Sequence, residues 1–288
     1  MMTARTSMSG FGVERLSAFG AVMEITFPGR AARAHWLGGL PACWQPAPDA
    51  QPDMRFSIEP RDDGPDGEPR FLFRQDGAQV AGARTCAQVR DMLAARMDYF
   101  LGAHARDCAF VHAALVLKDG QGLLFPGRSH AGKSTLAAAL AAAGADYVSD
   151  DVAVIDRAGR VHFLGRPLTL RDDMIREEMA KAVPPPANGG PARFRMGTAP
   201  VGAILFLTYE AGARELDLFS LSRGEAVQGL MANSMNGRRH PELALHCCTA
   251  VASLALCGHG VRGEAGQAAR SILASVYCQG EACVGSLA

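Results

Sequence analysis

The fold of this protein is decided by residues 110–151, which read FVHAALVLKDGQGLLFPGRSHAGKSTLAAALAAAGADYVSDD. Apolar runs predict a strand over Phe110 to Leu117 and a returning strand over Gly122 to Phe125, joined by a hairpin turn at Lys118-Asp119-Gly120. A helix is predicted over Lys133 to Ala143, because alanine and leucine favour that conformation. This order of strand, loop and helix is typical of an α/β fold.

The loop between the second strand and the helix carries a complete phosphate-binding motif. It matches the Walker A pattern GxxxxGK(S/T) through Gly127, Arg128, Ser129, His130, Ala131, Gly132, Lys133, Ser134 and Thr135. Glycines let the backbone curl so that N–H groups point at phosphate oxygens, and the helix amino terminus adds partial positive charge. In this pattern Lys133 reaches the β and γ phosphates and Ser134 helps to hold Mg²⁺. The motif predicts binding of ATP and Mg²⁺; the alternative is a turn with a solvated lysine.

Two carboxylates follow the helix closely. A strand over Tyr147 to Ser149 ends at Asp150-Asp151, and Val152 to Ile155 continues the chain. A strand so close to the phosphate loop in sequence returns beside it, so the pair is expected near the γ phosphate. One carboxylate then suits Mg²⁺ and the other suits proton abstraction from an attacking hydroxyl. The alternative is a turn between two strands with both side chains solvated.

A histidine precedes the loop. His112 lies on the first strand among residues that should be buried. It is either a site residue or a core histidine whose hydrogen bonds are satisfied.

Composition excludes several classes of function. Lys plus Arg (29) balances Asp plus Glu (29), so no charge excess points to nucleic acid or an anionic membrane. Only three of those basic residues are lysines, at Lys118, Lys133 and Lys181. No amino-terminal secretory pattern is visible, and the uncharged stretch Leu243 to Val261 is interpreted as a buried helix, so a cytoplasmic location is expected. The eight cysteines contain no CxxC pair, which favours reduced thiols.

Two domains are expected. Residues 1–105 read as a smaller β-rich amino-terminal domain that ends in a bridging helix over Ala87 to Ala105. Residues 106–288 read as the nucleotide-binding core. That core continues with a strand over Val201 to Leu207 and ends in carboxy-terminal helices over Arg223 to Met235, Pro241 to Cys257 and Glu264 to Val276.

Three features coincide in order: His112, the Walker A loop, and the Asp150-Asp151 pair after one helix and strand. Residues 112–170 contain these features in the same order as the catalytic core of the bacterial HPr kinase/phosphorylase family and resemble it. That family shares its fold with phosphoenolpyruvate carboxykinases. The resemblance implies an HPr kinase-like P-loop fold and transfer of the ATP γ-phosphoryl group to a serine or other hydroxyl of a small protein or peptide.

The resemblance also implies residue roles. Lys133 binds phosphates, Ser134 assists Mg²⁺, Asp150 is favoured as the base with Asp151 supporting the metal, and His112 matches the active-site histidine. Family members commonly assemble, so a homo-oligomer is expected. The related short proteins further suggest a peptide-modification pathway.

The sequence departs from the family at several positions. Arg128 and His130 replace small residues of the loop, and Thr135 replaces a glutamate of the HPr kinases proper. The distal signature with its metal-binding glutamate is missing, and the acidic residues that could substitute for it are Asp172, Asp173, Glu177 and Glu178. These departures argue against HPr itself as the acceptor and against the reverse phosphorylase reaction.

Other interpretations stay open. The chain could be a nucleotide-dependent binding or chaperone-like module that does not transfer phosphate, or an enzyme acting on a small molecule. Arg238-Arg239-His240 either clamps phosphate or forms a solvated basic loop. The segment Pro184 to Pro200 is either a lid or a surface loop. The carboxy-terminal histidines and cysteines lack zinc-ligand spacing.

Overall fold

The structure is a computed structural model that describes residues 10–38, 40, 43–61, 70–128, 131–163, 197–213 and 215–277. The chain divides into two compact units, Met1–Arg106 and Asp107–Ala288. Both contain strands and helices, so the expected α/β class is confirmed at that level.

The described part of the amino-terminal unit forms a six-stranded sheet with two α-helices and a short 3-10 helix, Arg30–Ala32. Its elements are β1 (Phe11–Ala18), β2 (Ala21–Pro28), α1 (Arg33–Leu37), β3 (Gln45–Pro46), β4 (Met54–Pro60), β5 (Phe71–Gln75), β6 (Ala78–Ala83) and α2 (Cys86–His104). The strand order is β3-β1-β2-β4-β5-β6, in which only β2 and β4 pair in parallel.

Helix α2 confirms the helix predicted over Ala87 to Ala105. It begins after Thr85, whose side chain accepts a hydrogen bond from the Gln88 N–H in a capping box. Its apolar face is buried in the core of the unit, where Phe100 packs against the rings of Trp44 and Phe56. The helix is therefore held by aromatic packing as well as by its own cap.

The carboxy-terminal unit is built around an eight-stranded sheet. Its elements are β7 (Cys108–Lys118), β8 (Gln121–Pro126), α3 (Lys133–Ala142), β9 (Asp146–Ser149), β10 (Val152–Asp156), β11 (Arg160–Phe163), β12 (Gly197–Tyr209), β13 (Asp217–Ser220), α4 (Arg223–Ala232), α5 (Pro241–Leu254), β14 (Leu256–Arg262) and α6 (Ala265–Tyr277). The predicted hairpin is confirmed: β7 and β8 are antiparallel, and Asp119 and Gly120 both have the positive φ of a two-residue turn.

Strand pairing closes part of this sheet on itself. β7 pairs with β8 and β10, β10 pairs with β11, and β12 pairs with both β11 and β8, which completes a ring of five strands. Along β12, residues 197–200 pair with β11 and residues 201–204 pair with β8. The ring holds β7, the strand of His112, between two neighbours.

The side chains of β7 alternate between two cores. Val111, Ala113 and Leu115 pack in one cluster with residues of α4 and α5. Ala114 and Val116 pack in the other with residues of α3 and α6. Because successive strand residues point to opposite faces, one apolar strand serves both helical layers.

The helix predicted over Pro241 to Cys257 is confirmed in all but its last three residues, whereas the longer buried helix inferred for Leu243 to Val261 is wrong in its second part. Helix α5 ends at Leu254, and Leu256–Arg262 forms β14. This strand lies parallel to β12 and antiparallel to β13. Gly260 permits the close approach to β13, because a Cβ there would lie 1.8 Å from the carbonyl oxygen of Asp217.

Within the described residues, no helix has both the length and the hydropathy needed to cross a bilayer.

A buried asparagine supports the start of β7. The Asn236 side chain accepts from the Phe110 N–H (3.0 Å), donates to the Cys108 carbonyl (2.9 Å) and is fully buried.

We expect Asn236→Ala to lower the free energy of unfolding by about 2–5 kcal/mol, because it leaves two buried backbone groups without a hydrogen-bond partner. Urea denaturation followed by circular dichroism measures this. Asn233→Ala, which removes one side-chain bond to Gly229, is the control and should cost about 1 kcal/mol or less. Equal losses in the two variants would contradict this role.

Three buried thiols should be unreactive in the folded chain. Burial, assisted by the nearby Cys247, raises the pKa of Cys108 and of Cys248 to about 12, and burial raises the pKa of Cys247 itself. At pH 8 a thiol with that pKa is ionised to about one part in ten thousand. We expect iodoacetamide to modify half-buried Cys86 before these three, which should react only on unfolding, as read by peptide mass spectrometry. Modification of Cys108 at the Cys86 rate would contradict this.

Candidate nucleotide-binding site

The phosphate loop joins the carboxyl end of β8 to the amino end of α3. Strands β8, β12 and β14 are parallel, so their carboxyl ends meet at one edge of the sheet, where α/β proteins bind ligands. Gly132 has φ +73° and precedes the first helical residue, Lys133. Its conformation favours glycine because a side chain is strained there. Ser129 and His130 lie outside the described residues.

Lys133 turns back over the loop. Its Nζ donates to the carbonyls of Gly127 (2.9 Å) and Arg128 (2.8 Å) and lies 3.0 Å from Nε2 of His112. The residue is 9% exposed. Burial lowers the pKa of this ammonium, while the charges of Asp151 and Asp150 oppose that shift. All three ammonium protons therefore have partners inside the site.

His112 connects the lysine to the acidic pair. Because an ammonium has only donors, Nε2 of His112 accepts from Lys133 and the ring proton is assigned to Nδ1. Nδ1 lies 2.8 Å from the backbone oxygen of Asp151 and 3.1 Å from its carboxylate. The His112 backbone also accepts from the Gly127 N–H at 3.2 Å. The ring of His112 therefore contacts both the lysine of the loop and the second aspartate of the pair.

The two aspartates interrupt the pairing along one edge of β7. Before them β9 pairs with residues 115–117, and after them β10 pairs with residues 108–112. The backbone oxygen of Asp151 accepts from the Ala113 N–H at 3.2 Å, which fixes the interruption beside His112. The Asp150 residue is 9% exposed, whereas the Asp151 side chain is 75% exposed. The pair thus divides into an inner and an outer carboxylate.

Sequence reasoning missed Tyr147 as a site residue. Its hydroxyl donates to Oδ1 of Asp150 at 2.8 Å. Burial and the Asp150 carboxylate raise the pKa of Tyr147, so the hydroxyl remains a donor. The only sequence signal was its position three residues before the aspartate, which does not identify a partner on a strand.

Sequence reasoning also missed Arg262, the last residue of β14. Its Nη2 donates to the Gly132 carbonyl (3.1 Å) and lies 3.5 Å from the Ala131 carbonyl. The residue is 3% exposed, and its guanidinium lies 5.3 Å from the centre of the Tyr209 ring. Burial lowers the pKa of Arg262, but an arginine stays charged near neutral pH. The available signal was its place directly after the uncharged run that ends at Val261.

The residues present fit a phosphate anion and a divalent cation. Lys133, Arg262 and the amino terminus of α3 supply positive charge on the loop side. Half-buried Ser134, exposed Thr135 and Asp151 offer oxygens to a hard cation such as Mg²⁺. Among the described residues no three histidine, cysteine, aspartate or glutamate side chains cluster as a metal site. Mg²⁺ in nucleotide sites is usually held by one or two carboxylates together with substrate phosphates.

Arg238 and Arg239 are exposed between α4 and α5, just after residues 233–235, which bond to the backbone of residues 110–112 of β7. The acidic residues that could replace the missing glutamate lie outside the described residues: Asp172, Asp173, Glu177 and Glu178. Most of the lid candidate, residues 184–196, lies outside them too.

No protein-family model matches this chain, and no curated protein matches it. The structure itself defines a mixed α/β protein whose second unit carries a Walker A sequence between a strand and a helix.

Proposed function

We propose that this protein is a Mg²⁺- and ATP-dependent kinase related to the HPr kinases, which transfers the γ-phosphoryl group to a serine hydroxyl of a small protein or peptide. The observation that carries the proposal is the chain of contacts from Lys133 through His112 to Asp151, which joins the phosphate loop to the acidic pair. A turn with both aspartates solvated would not bury Asp150, which is 9% exposed.

Each residue of the site has a separate role in the proposed transfer. Lys133 exchanges its bonds to Gly127 and Arg128 for phosphate oxygens, and the N–H groups of the loop bind the same anion. Mg²⁺, held by Ser134 and Asp151, would neutralise charge that develops on the β and γ phosphates. Asp150 accepts the acceptor hydroxyl proton as the new O–P bond forms and the γ phosphorus separates from the bridging oxygen of ADP.

Tyr147 and His112 position the two carboxylates. The Tyr147 hydroxyl fixes one oxygen of Asp150 and leaves its other oxygen for the incoming hydroxyl. His112 holds Asp151 through both its backbone and side-chain oxygens. A cytoplasmic location belongs to the proposal, because ATP and Mg²⁺ are available there.

Incubation with γ-labelled ATP tests the proposal. Purified protein, Mg²⁺ and candidate acceptors (a lysate of the source cells or peptides encoded beside the gene) should yield labelled protein or peptide with phosphoserine, and EDTA should abolish the label. Binding of ATP with no transfer would instead indicate a nucleotide-dependent binding module. Label found only in a small molecule would indicate a small-molecule kinase, and either outcome would overturn the proposal.

A further inference from the structure

Lys133 bonds to the start of the phosphate loop, and Arg262 bonds to its end. Its Nη2 donates to the Gly132 carbonyl at 3.1 Å and lies 3.5 Å from that of Ala131, the two residues immediately before Lys133. Nη1 donates to the Gly263 carbonyl at 3.1 Å. The guanidinium thus fastens the loop to the end of β14.

The strand behind Arg262 is itself fixed. Residues 203–209 of β12 pair in register with residues 256–262 of β14, and the backbone oxygen of Arg262 accepts from the Glu210 N–H at 2.9 Å. Tyr209 lies under the guanidinium and donates its hydroxyl to Glu264 at 3.0 Å. Arg262 therefore has little freedom to leave the loop.

The loop has the shape that this contact requires. A Cβ at Gly132 would lie 2.5 Å from Nη2 of Arg262, so only glycine admits the guanidinium at its present distance. The same glycine has a positive φ and turns the chain into α3. Gly132 thus leaves room for the guanidinium and turns the chain into α3. Both properties affect the direction of the loop N–H groups.

We propose that Arg262 is a positioning residue of the nucleotide site, which holds the loop carbonyls of Ala131 and Gly132 back so that the neighbouring N–H groups face the phosphates. It acts through the loop, because at 3% exposure its guanidinium is occupied by backbone carbonyls and the Tyr209 ring. The inference rests on the proposed function in one respect, that the loop binds nucleotide phosphates.

Hydrogen–deuterium exchange of the nucleotide-free protein tests the loop contact independently of that function. In Arg262→Gln we expect amide exchange in residues 131–136 to become about tenfold faster, with exchange in α5 unchanged. Arg270→Gln, which replaces an exposed arginine of α6, is the matched control and should leave the loop unchanged. Loop exchange in Arg262→Gln equal to that of the wild type would overturn the inference.

Nucleotide binding provides the second readout. The affinity for a fluorescent ATP analogue should fall about tenfold to a hundredfold in Arg262→Gln, the loss expected from charge-assisted hydrogen bonds, and Arg262→Lys should restore part of it. The KM for ATP should rise more than kcat falls. If Arg262→Gln does not fold, Arg262→Lys and Tyr209→Leu carry the test, each with a smaller loss, and wild-type affinity in both would overturn the inference. A wild-type protein that binds no ATP contradicts the proposed function, and the exchange experiment then decides the loop contact alone.

Discussion

Lys133→Met is expected to reduce nucleotide binding and phosphoryl transfer by about a hundredfold to a thousandfold, the range found when one preorganised electrostatic donor is removed from a site. The ammonium is the single side-chain cation that contacts both the loop carbonyls and His112 in the described part of the site. Binding of a fluorescent ATP analogue and transfer from γ-labelled ATP measure the two effects.

The stability of this variant separates a lost function from a lost fold. Burial lowers the pKa of Lys133, so the folded state holds its charged form at a cost that is present below the folded pKa and disappears as pH rises toward the ordinary lysine value. Methionine carries no such cost, but it leaves the carbonyls of Gly127 and Arg128 without this donor, so the two effects oppose each other. We therefore expect Lys133→Met to unfold within a few degrees of the wild type near neutral pH.

Lys118→Met is the matched control. Lys118 lies at the β7–β8 hairpin, where its Nζ donates to the Gly144 carbonyl at 3.3 Å and lies 3.8 Å from the carboxylate of Asp119. Nucleotide binding in this variant should match the wild type. Full binding by Lys133→Met, or an equal loss in the two variants, would remove the phosphate loop from the proposal.

Asp150→Asn is expected to reduce phosphoryl transfer by about a hundredfold to ten thousandfold, the usual contribution of a general base. Nucleotide affinity should change little, because Asp150 is assigned to the acceptor hydroxyl and its side chain bonds to Tyr147. Asparagine keeps the shape of the side chain, so the loss reports on proton acceptance. Rates at saturating ATP measure it.

Asp151→Asn should behave differently. Its exposed carboxylate is assigned to the metal, so the concentration of Mg²⁺ needed for half-maximal rate should rise, with partial recovery at high Mg²⁺. Asp146→Asn, at the exposed start of β9, is the control and should retain the wild-type rate.

Transfer that is unaffected in Asp150→Asn would falsify the assignment of Asp150 as the base.

Local signals predicted much of this fold. The Asp119-Gly120 turn, the apolar run of β7 and the apolar face of α2 are each set by residues that are close in the chain, so they can be recognised from the sequence. The phosphate loop was legible for the same reason. What depends on local chemistry could therefore be located in advance.

Partners distant along the chain could not be predicted. Strand β14 has glycines at 258 and 260 and few β-branched residues, so its conformation is set by pairing with β12 and β13. Arg262 reaches the loop only because that strand is present. Tyr147 could be assigned to a strand, but its contact with Asp150 depends on how the pairing with β7 is interrupted.

The bond between Arg262 and Gly132 joins residues separated by 130 positions, which has a consequence for synthesis of the protein. A nascent chain that has just exposed its Walker A sequence still lacks β14, so the loop must wait for the carboxy-terminal strand to leave the ribosome and insert beside β12. Ribosome-bound chains that stop before Arg262 should therefore bind nucleotide more weakly than released ones.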